Sequence, residues 1–186
     1  HMMPVEKAIE AAKTLTPPTN PGQPCIMGPK RDNMFTHEFV GANFTVPAML
    51  GHKKHAGIAE KRLKSAAELS LSSPESIENG ALLTLKVKVT NAAAGHNLPT
   101  SLTEVRQMWL DVQVTDANGT EIYRSGNLDA SGTIINDPRI FNAHAVDTEG
   151  KHTVKPWEIA RFEYNKTIPP KGSATESFVS DRKSVV

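Results

Sequence analysis

One thiol and seven imidazoles are the side chains from which any metal or redox chemistry of this chain has to be built. Cys25 lies in NPGQPCIMG, residues 20 to 28, and His37 follows in HEFVGANF. A lone thiol excludes an intrachain disulfide, a four-cysteine zinc site and an iron–sulfur cluster. Covalent haem attachment needs two thiols spaced Cys-x-x-Cys to reach both vinyl groups, and an adjacent histidine to ligate the iron. Around Cys25 the frame offers Gly22 where the first thiol belongs and Ile26 where the imidazole belongs, so one of three obligatory groups is present. Taken alone, Cys25 reads as a free cysteine in a loop.

The other histidines are no more committed. His52 and His55 could offer a metal two imidazoles from one helix face, although a spacing of four chelates better than three and no carboxylate or thiolate partner is fixed nearby. They read as surface histidines first. His96 stands in AGHNLPT, residues 94 to 100, between Gly95 and Pro99, where its ring can order the loop through backbone carbonyls. Arg106 and Trp109 are near enough in sequence for a guanidinium to stack on the indole, as sheet architecture rather than ligand binding. Asp116-x-x-Gly119, Asp129-x-x-Gly132 and Asp147-x-x-Gly150 carry turn chemistry without the alternating acids of a calcium loop. No nucleophile elbow, phosphate-cradling glycine loop or zinc-protease helix occurs, and no short motif ties serine, histidine and aspartate into a triad.

The elements that must position these groups divide by period. Val5, Ala8, Ile9 and Ala12 recur at helical spacing between Pro4 and Leu15, and Pro17 and Pro18 stop the helix. Residues 16 to 34 are rich in proline and predict a loop. From His52 to Leu69, a stripe of Ala59, Leu63, Ala66 and Leu69 predicts a second helix, with His52 and His55 extending the stripe. Beyond Pro74 the period becomes 2. Leu83, Leu85, Val87 and Val89 alternate with polar residues, and Met108, Leu110, Val112 and Val114 repeat the device. A hairpin turn at Asp116–Gly119 leads into residues 120 to 124, and residues 157 to 164 and 174 to 179 offer further strands. The expectation is a mainly β protein: an immunoglobulin-like antiparallel β-sandwich of about seven strands, residues 74–186, preceded by a helical and looped segment, residues 1–73.

Size and charge narrow the partners. A chain of 186 residues buries a real core without staples. A formal net charge of +1 argues for neither nucleic acid nor an acidic membrane as partner. No apolar run reaches the roughly 20 residues that span a bilayer, so direct membrane insertion is not expected. His1 and Met2 read as a cloning remnant, so the lack of a leader says nothing about compartment. Asn-x-Thr sequons at Asn43, Asn118 and Asn165 matter only in a glycosylating host.

Several stretches, taken in order, resemble one family. They are HEFVGAN from His37, MLG from Met49, RLKSAAEL, the long run from LLTLKVKVTNAAAGHNLPT through EVRQMWLDV to RSGNLD, DTEGK, Trp157 and IPPKG at 168 to 172. This order is similar to the carboxy-terminal region of bacterial multihaem c-type cytochromes, over about residues 20 to 180. There a last Cys-x-x-Cys-His-Met-Pro is followed by His-x-Phe-x-Gly-Gly-Asn, a helix, and a β-sandwich whose first long loop reads Ala-Gly-His-x-Leu-Pro-Thr-Gly. Cys25 falls on the second cysteine of that pattern, Gly22 on the first, Ile26 on the proximal histidine and Met27 on the methionine. An isoleucine cannot ligate iron, so the resemblance implies a lost attachment site. His37 matches a candidate distal ligand, and beside Phe35 and Phe39 it could stack on a porphyrin or be satisfied by backbone within its loop.

The resemblance therefore implies a non-catalytic, haem-less module, periplasmic or extracellular, docking onto a haem-bearing cytochrome or another protein subunit. No cofactor is expected. The alternatives are a chain that binds haem noncovalently or completes a partner's haem through His37, with Cys25 and His96 as further haem contacts, and a metal-binding domain using His52 and His55.

Overall fold

The computed structural model describes residues 3–14, 16, 19–36, 39–78 and 81–180. Three helices come first, α1 (Val5–Thr14), α2 (Thr45–Met49) and α3 (Lys53–Ser65), and nine strands follow among the described residues. They are β1 (Ala67–Ser72), β2 (Leu83–Asn91), β3 (Met108–Leu110), β4 (Val112–Thr115), β5 (Glu121–Ser125), β6 (Arg139–Phe141), β7 (Ala143–Val146), β8 (Arg161–Asn165) and β9 (Ser173–Ser180). One sheet has the order β1-β2-β9; β3 pairs with β6, β4 with β5 and β7 with β8, these three antiparallel. The protein is mainly β with few helices, compatible with a β-sandwich.

The chain forms two compact units. The first runs to Glu68 and takes in Thr90–Gly95 and Pro170–Gly172; the second holds Leu69–Val89, His96–Pro169 and the strand from Ser173. In the first unit α3 packs through Ala56 and Ala59, the latter fully buried, and Arg62 Nη2 donates to the Met3 carbonyl at 3.2 Å. The Lys171 ammonium donates to the carbonyls of Ala12 and Ala92, so one charge holds the last turn of α1 to the chain just beyond β2.

In the second unit the period-2 pattern works as expected on β2, where Leu85, Val87 and Val89 are buried and Thr84, Lys86 and Lys88 exposed. Phe141 and Phe178 are the largest buried side chains. A charged lid covers them: the Lys166 ammonium lies 4.7 Å from the Phe141 ring centre and the Arg139 guanidinium 5.4 Å from that of Phe178. Glu176 links the two cations, at 2.7 Å from Lys166 and 3.6 Å from Arg139.

The three Asp-x-x-Gly turns are built alike. Each aspartate Oδ1 accepts the N–H groups two and four residues on, at 2.8–2.9 Å. Each glycine sits at a φ between 82° and 84°, which a side chain would strain. Gly126 has a different reason for being glycine: a Cβ there would lie 2.1 Å from the Leu110 carbonyl oxygen.

Several expectations change. The helix expected over 52–69 ends at Ser65, and residues 67–72 become β1, because Leu69 and Leu71 alternate with Glu68, Ser70 and Ser72 and pair into the β2 sheet. The stripe loses its carboxyl end accordingly: Leu63 is exposed, as are His52 and His55. The strand expected through Met108–Val114 divides at Asp111, whose carboxylate leaves the ladder to meet Arg124 at 2.8 Å. Trp157 falls in a 3-10 turn, Pro156–Glu158, rather than a strand, since Pro156 brings no N–H to a ladder. The Trp109 indole donates to the Gly126 carbonyl at 2.8 Å, and the cation–ring contacts lie at Arg139 and Lys166 instead of Arg106.

Two outcomes follow. Phe178→Ala should lower stability by about 3–5 kcal/mol in urea unfolding, whereas Trp157→Ala, on an exposed side chain, should stay within about 0.5 kcal/mol. Hydrogen bonds from Ser131 to Asp129 and from Arg139 to Asp137 hold both carboxyls below their ordinary value. Their contribution is present above that value and lost as pH falls through the folded one, so the melting temperature should be flat above about pH 5 and drop below about pH 4.

Candidate functional site

The loop carrying Cys25 closes on itself. At its base the Gly22 N–H donates to the Arg31 carbonyl at 3.0 Å and the Arg31 N–H returns to Gly22 at 2.8 Å. One step out, Asn20 is bound three ways: its N–H to Asn33 Oδ1 at 3.0 Å, its side-chain amide to the Met34 carbonyl at 2.7 Å, and its carbonyl from the Met34 N–H at 2.6 Å. At the far end the Gln23 amide donates to the carbonyls of Ile26 at 3.0 Å and Gly28 at 2.7 Å, and the Gly28 N–H donates to Cys25 at 3.0 Å. The proline-rich composition that predicts a loop thus yields one that is cross-braced by bonds among its own residues. Ile26 and Met27 stand at its tip, 94% and 93% exposed, and the Cys25 thiol is exposed beside them.

This geometry does not suit covalently held haem. A Cβ built on Gly22 would lie 2.8 Å from Met34 Cγ, so the position matching the first cysteine of the family pattern has no room for a thiol unless Met34 moves. Ile26, matching the proximal histidine, offers no donor and points to solvent. An open cleft of about 410 Å³, lined by Pro21, Gly22, Gln23, Lys30, Arg31 and Asp32, flanks the loop. Its lining has neither an imidazole nor an aromatic ring to stack on a macrocycle.

The remaining candidates are dispersed. His37 lies outside the described residues. His52 precedes α3 and His55 sits in its first turn; their ring centres are 6.3 Å apart at 65°, edge to face. No group of three or more His, Cys, Asp or Glu able to hold a metal occurs among the described residues. His96 is exposed, with Nδ1 2.9 Å from the Asn97 carbonyl. The loop around it is tied down by a reciprocal backbone pair between Leu98 and Ile168, at 2.9 and 2.7 Å, and by the Asn97 amide donating to Thr167 at 3.1 Å.

A cluster that pattern reading missed lies on β7 and β8. The register sets His144 opposite Tyr164, and their rings stack with centres 5.8 Å apart. The His152 ring also stacks with that of His144, centres 4.5 Å apart, and Glu163 Oε2 lies 3.0 Å from His144 Nδ1. Nearly parallel rings point their nitrogen lone pairs along parallel planes, so this arrangement does not chelate one ion. Only the short alternation in AHAV and RFEYN could have signalled it, and the cross-strand register is not legible there.

Unit one also exposes apolar surface at α2, where Val46, Met49 and Leu50 are more than half exposed and no helical residue is buried. Phe35 and Phe39 are likewise exposed.

No family model matches the chain, and no curated protein matches it. A penta-heme cytochrome c552 from Thermochromatium tepidum is similar at 13% identity and a TM-score of 0.44, over 99% of this chain. The chain spans 40% of that cytochrome's length. Likeness of this degree does not establish a shared fold.

If Gly22 is glycine because of Met34, the two positions are coupled. Gly22→Ala should lower stability by about 1–3 kcal/mol and speed exchange of the Arg31 amide, while Gly22→Ala with Met34→Ala should cost less than the sum of the single changes.

Proposed function

We propose that this chain is a non-catalytic, haem-less module related to the multihaem c-type cytochromes, working outside the cytoplasm by docking onto a haem-bearing protein of an electron-transfer assembly. Two strands of argument support the reading. The ordered run of motifs, above all AGHNLPT followed by EVRQMWLDV, ties the chain by resemblance to that family. The Cys25 loop supplies one thiol and no imidazole, so electron transfer through a covalent haem of its own finds no donors there.

The observation that carries the docking part is the exposed apolar surface of the first unit. Ile26 and Met27 on the Cys25 loop, and Met49 and Leu50 at the end of α2, are each more than two-thirds exposed, two adjacent pairs of large apolar side chains at the surface. Binding groups commonly sit on loops held by rigid elements. In this reading the module adds shape and contact to an assembly, and the iron belongs to the partner.

The test is co-elution with the purified multihaem cytochrome encoded nearest to this chain in its genome. A complex in gel filtration with a 1:1 protein ratio and an unchanged haem count is the expected result. Separate elution at concentrations up to about 100 μM, far above the range of specific complexes, would refute docking.

A further inference from the structure

The loop at 20–34 is more than an exposed remnant, because three features coincide in it. Its tip is the most exposed large apolar pair of the described residues, Ile26 and Met27. That tip is preformed: the Gln23 amide grips the carbonyls on either side of it, and the Gly22–Arg31 pair and Asn20 close its base. Binding through such a loop forfeits little conformational freedom, which is what makes a small contact effective.

At the base of the same loop stands uncommitted charge. Lys30 and Arg31 are exposed and line the open cleft together with Asp32, without an ion-pair partner among the described residues. Several other cations of the same unit are engaged, Lys13 with Glu68, Lys61 with Glu6, Lys64 with Glu60 and Lys7 with the Thr19 carbonyl, while Lys53 on α3 is, like Lys30 and Arg31, without an ion pair among the described residues. The near-neutral total conceals a division. Residues 19–66 hold seven basic and three acidic side chains, and the rest of the chain holds fourteen and seventeen.

We infer that this loop is a docking finger: Ile26 and Met27 enter an apolar recess on a protein partner, and carboxylates on the rim of that recess pair with Lys30 and Arg31. The inference rests on the docking function proposed above and specifies its surface and the chemistry of its partner. An apolar centre inside a charged rim is the ordinary anatomy of a protein interface. A lipid surface fits less well, since interfacial anchoring needs a helix-length apolar face rather than two residues. A contact this small belongs with the transient complexes typical of redox encounters, whose attraction is screened by salt.

The experiment is biolayer interferometry with the immobilised chain. The probes are the cytochrome named above, at about 50 mM and 300 mM salt, and vesicles containing one-third anionic lipid. The variants are Met27→Ser, Lys30→Glu with Arg31→Glu, and Trp157→Ala as a control in the second unit. All of these side chains are exposed, so circular dichroism should show each variant folded. Expected are a loss of cytochrome affinity of tenfold or more for both loop variants, a flatter salt dependence for the charge reversal, and a change under twofold for Trp157→Ala. Wild-type binding that survives both loop variants overturns the finger and leaves the docking function standing. No wild-type binding to the cytochrome overturns both, and binding to the vesicles in its place overturns the choice of a protein partner.

Discussion

The reciprocal backbone pair between Gly22 and Arg31 is the contact on which the reading of this protein turns. A loop rich in proline has few N–H groups of its own and no long ladder to join, so what orders it is bonding among its own residues. Here the Gly22–Arg31 pair, the threefold bonding of Asn20 and the Gln23 clamp provide it. A Cβ at position 22 would lie 2.8 Å from Met34 Cγ, so any larger residue there needs the Met34 side chain to shift. Glycine at position 22 thus leaves Met34 undisturbed where the loop closes.

The second unit rests on another constraint, the burial of Phe141 and Phe178 beneath charged side chains. Glu176 bridges Lys166 and Arg139, and both cations lie over the rings they cover. Such contacts place charge at the edge of a core without an uncompensated ion, since Glu176 and Asp137, which meets Arg139 at 2.6 Å, together balance the two cations and the ring faces attract them. The Asp-x-x-Gly turns give that unit tight reversals at three places by one device. Rigid strands with closed turns are suitable supports for exposed loops that carry contacts.

The legible parts of the fold were those with a strong period or a local rule. Alternation on Leu85, Val87 and Val89 announced β2, and Asp-x-x-Gly announced its turns, because both are written in neighbouring residues. The end of α3 is not legible in the sequence, because Leu63, Ala66 and Leu69 suit a helix stripe as well as the start of a strand, and pairing with β2 decides the matter. The strands β6 and β7 are only three and four residues long, too short for a period to show, and register with β3 and β8 makes them strands. At the site, the absence of a second thiol and an imidazole was plain from residues 22 to 26. The clash between position 22 and Met34, the clamp from Gln23 and the stacked His144, His152 and Tyr164 were not, since each joins residues whose proximity depends on folding.

The most direct measurement is the intact mass and the pyridine haemochrome spectrum of the chain produced in a host that matures c-type cytochromes. The account predicts the mass of the polypeptide alone and no haemochrome band. A species heavier by one haem, with the thioether mapped to Cys25, would contradict it.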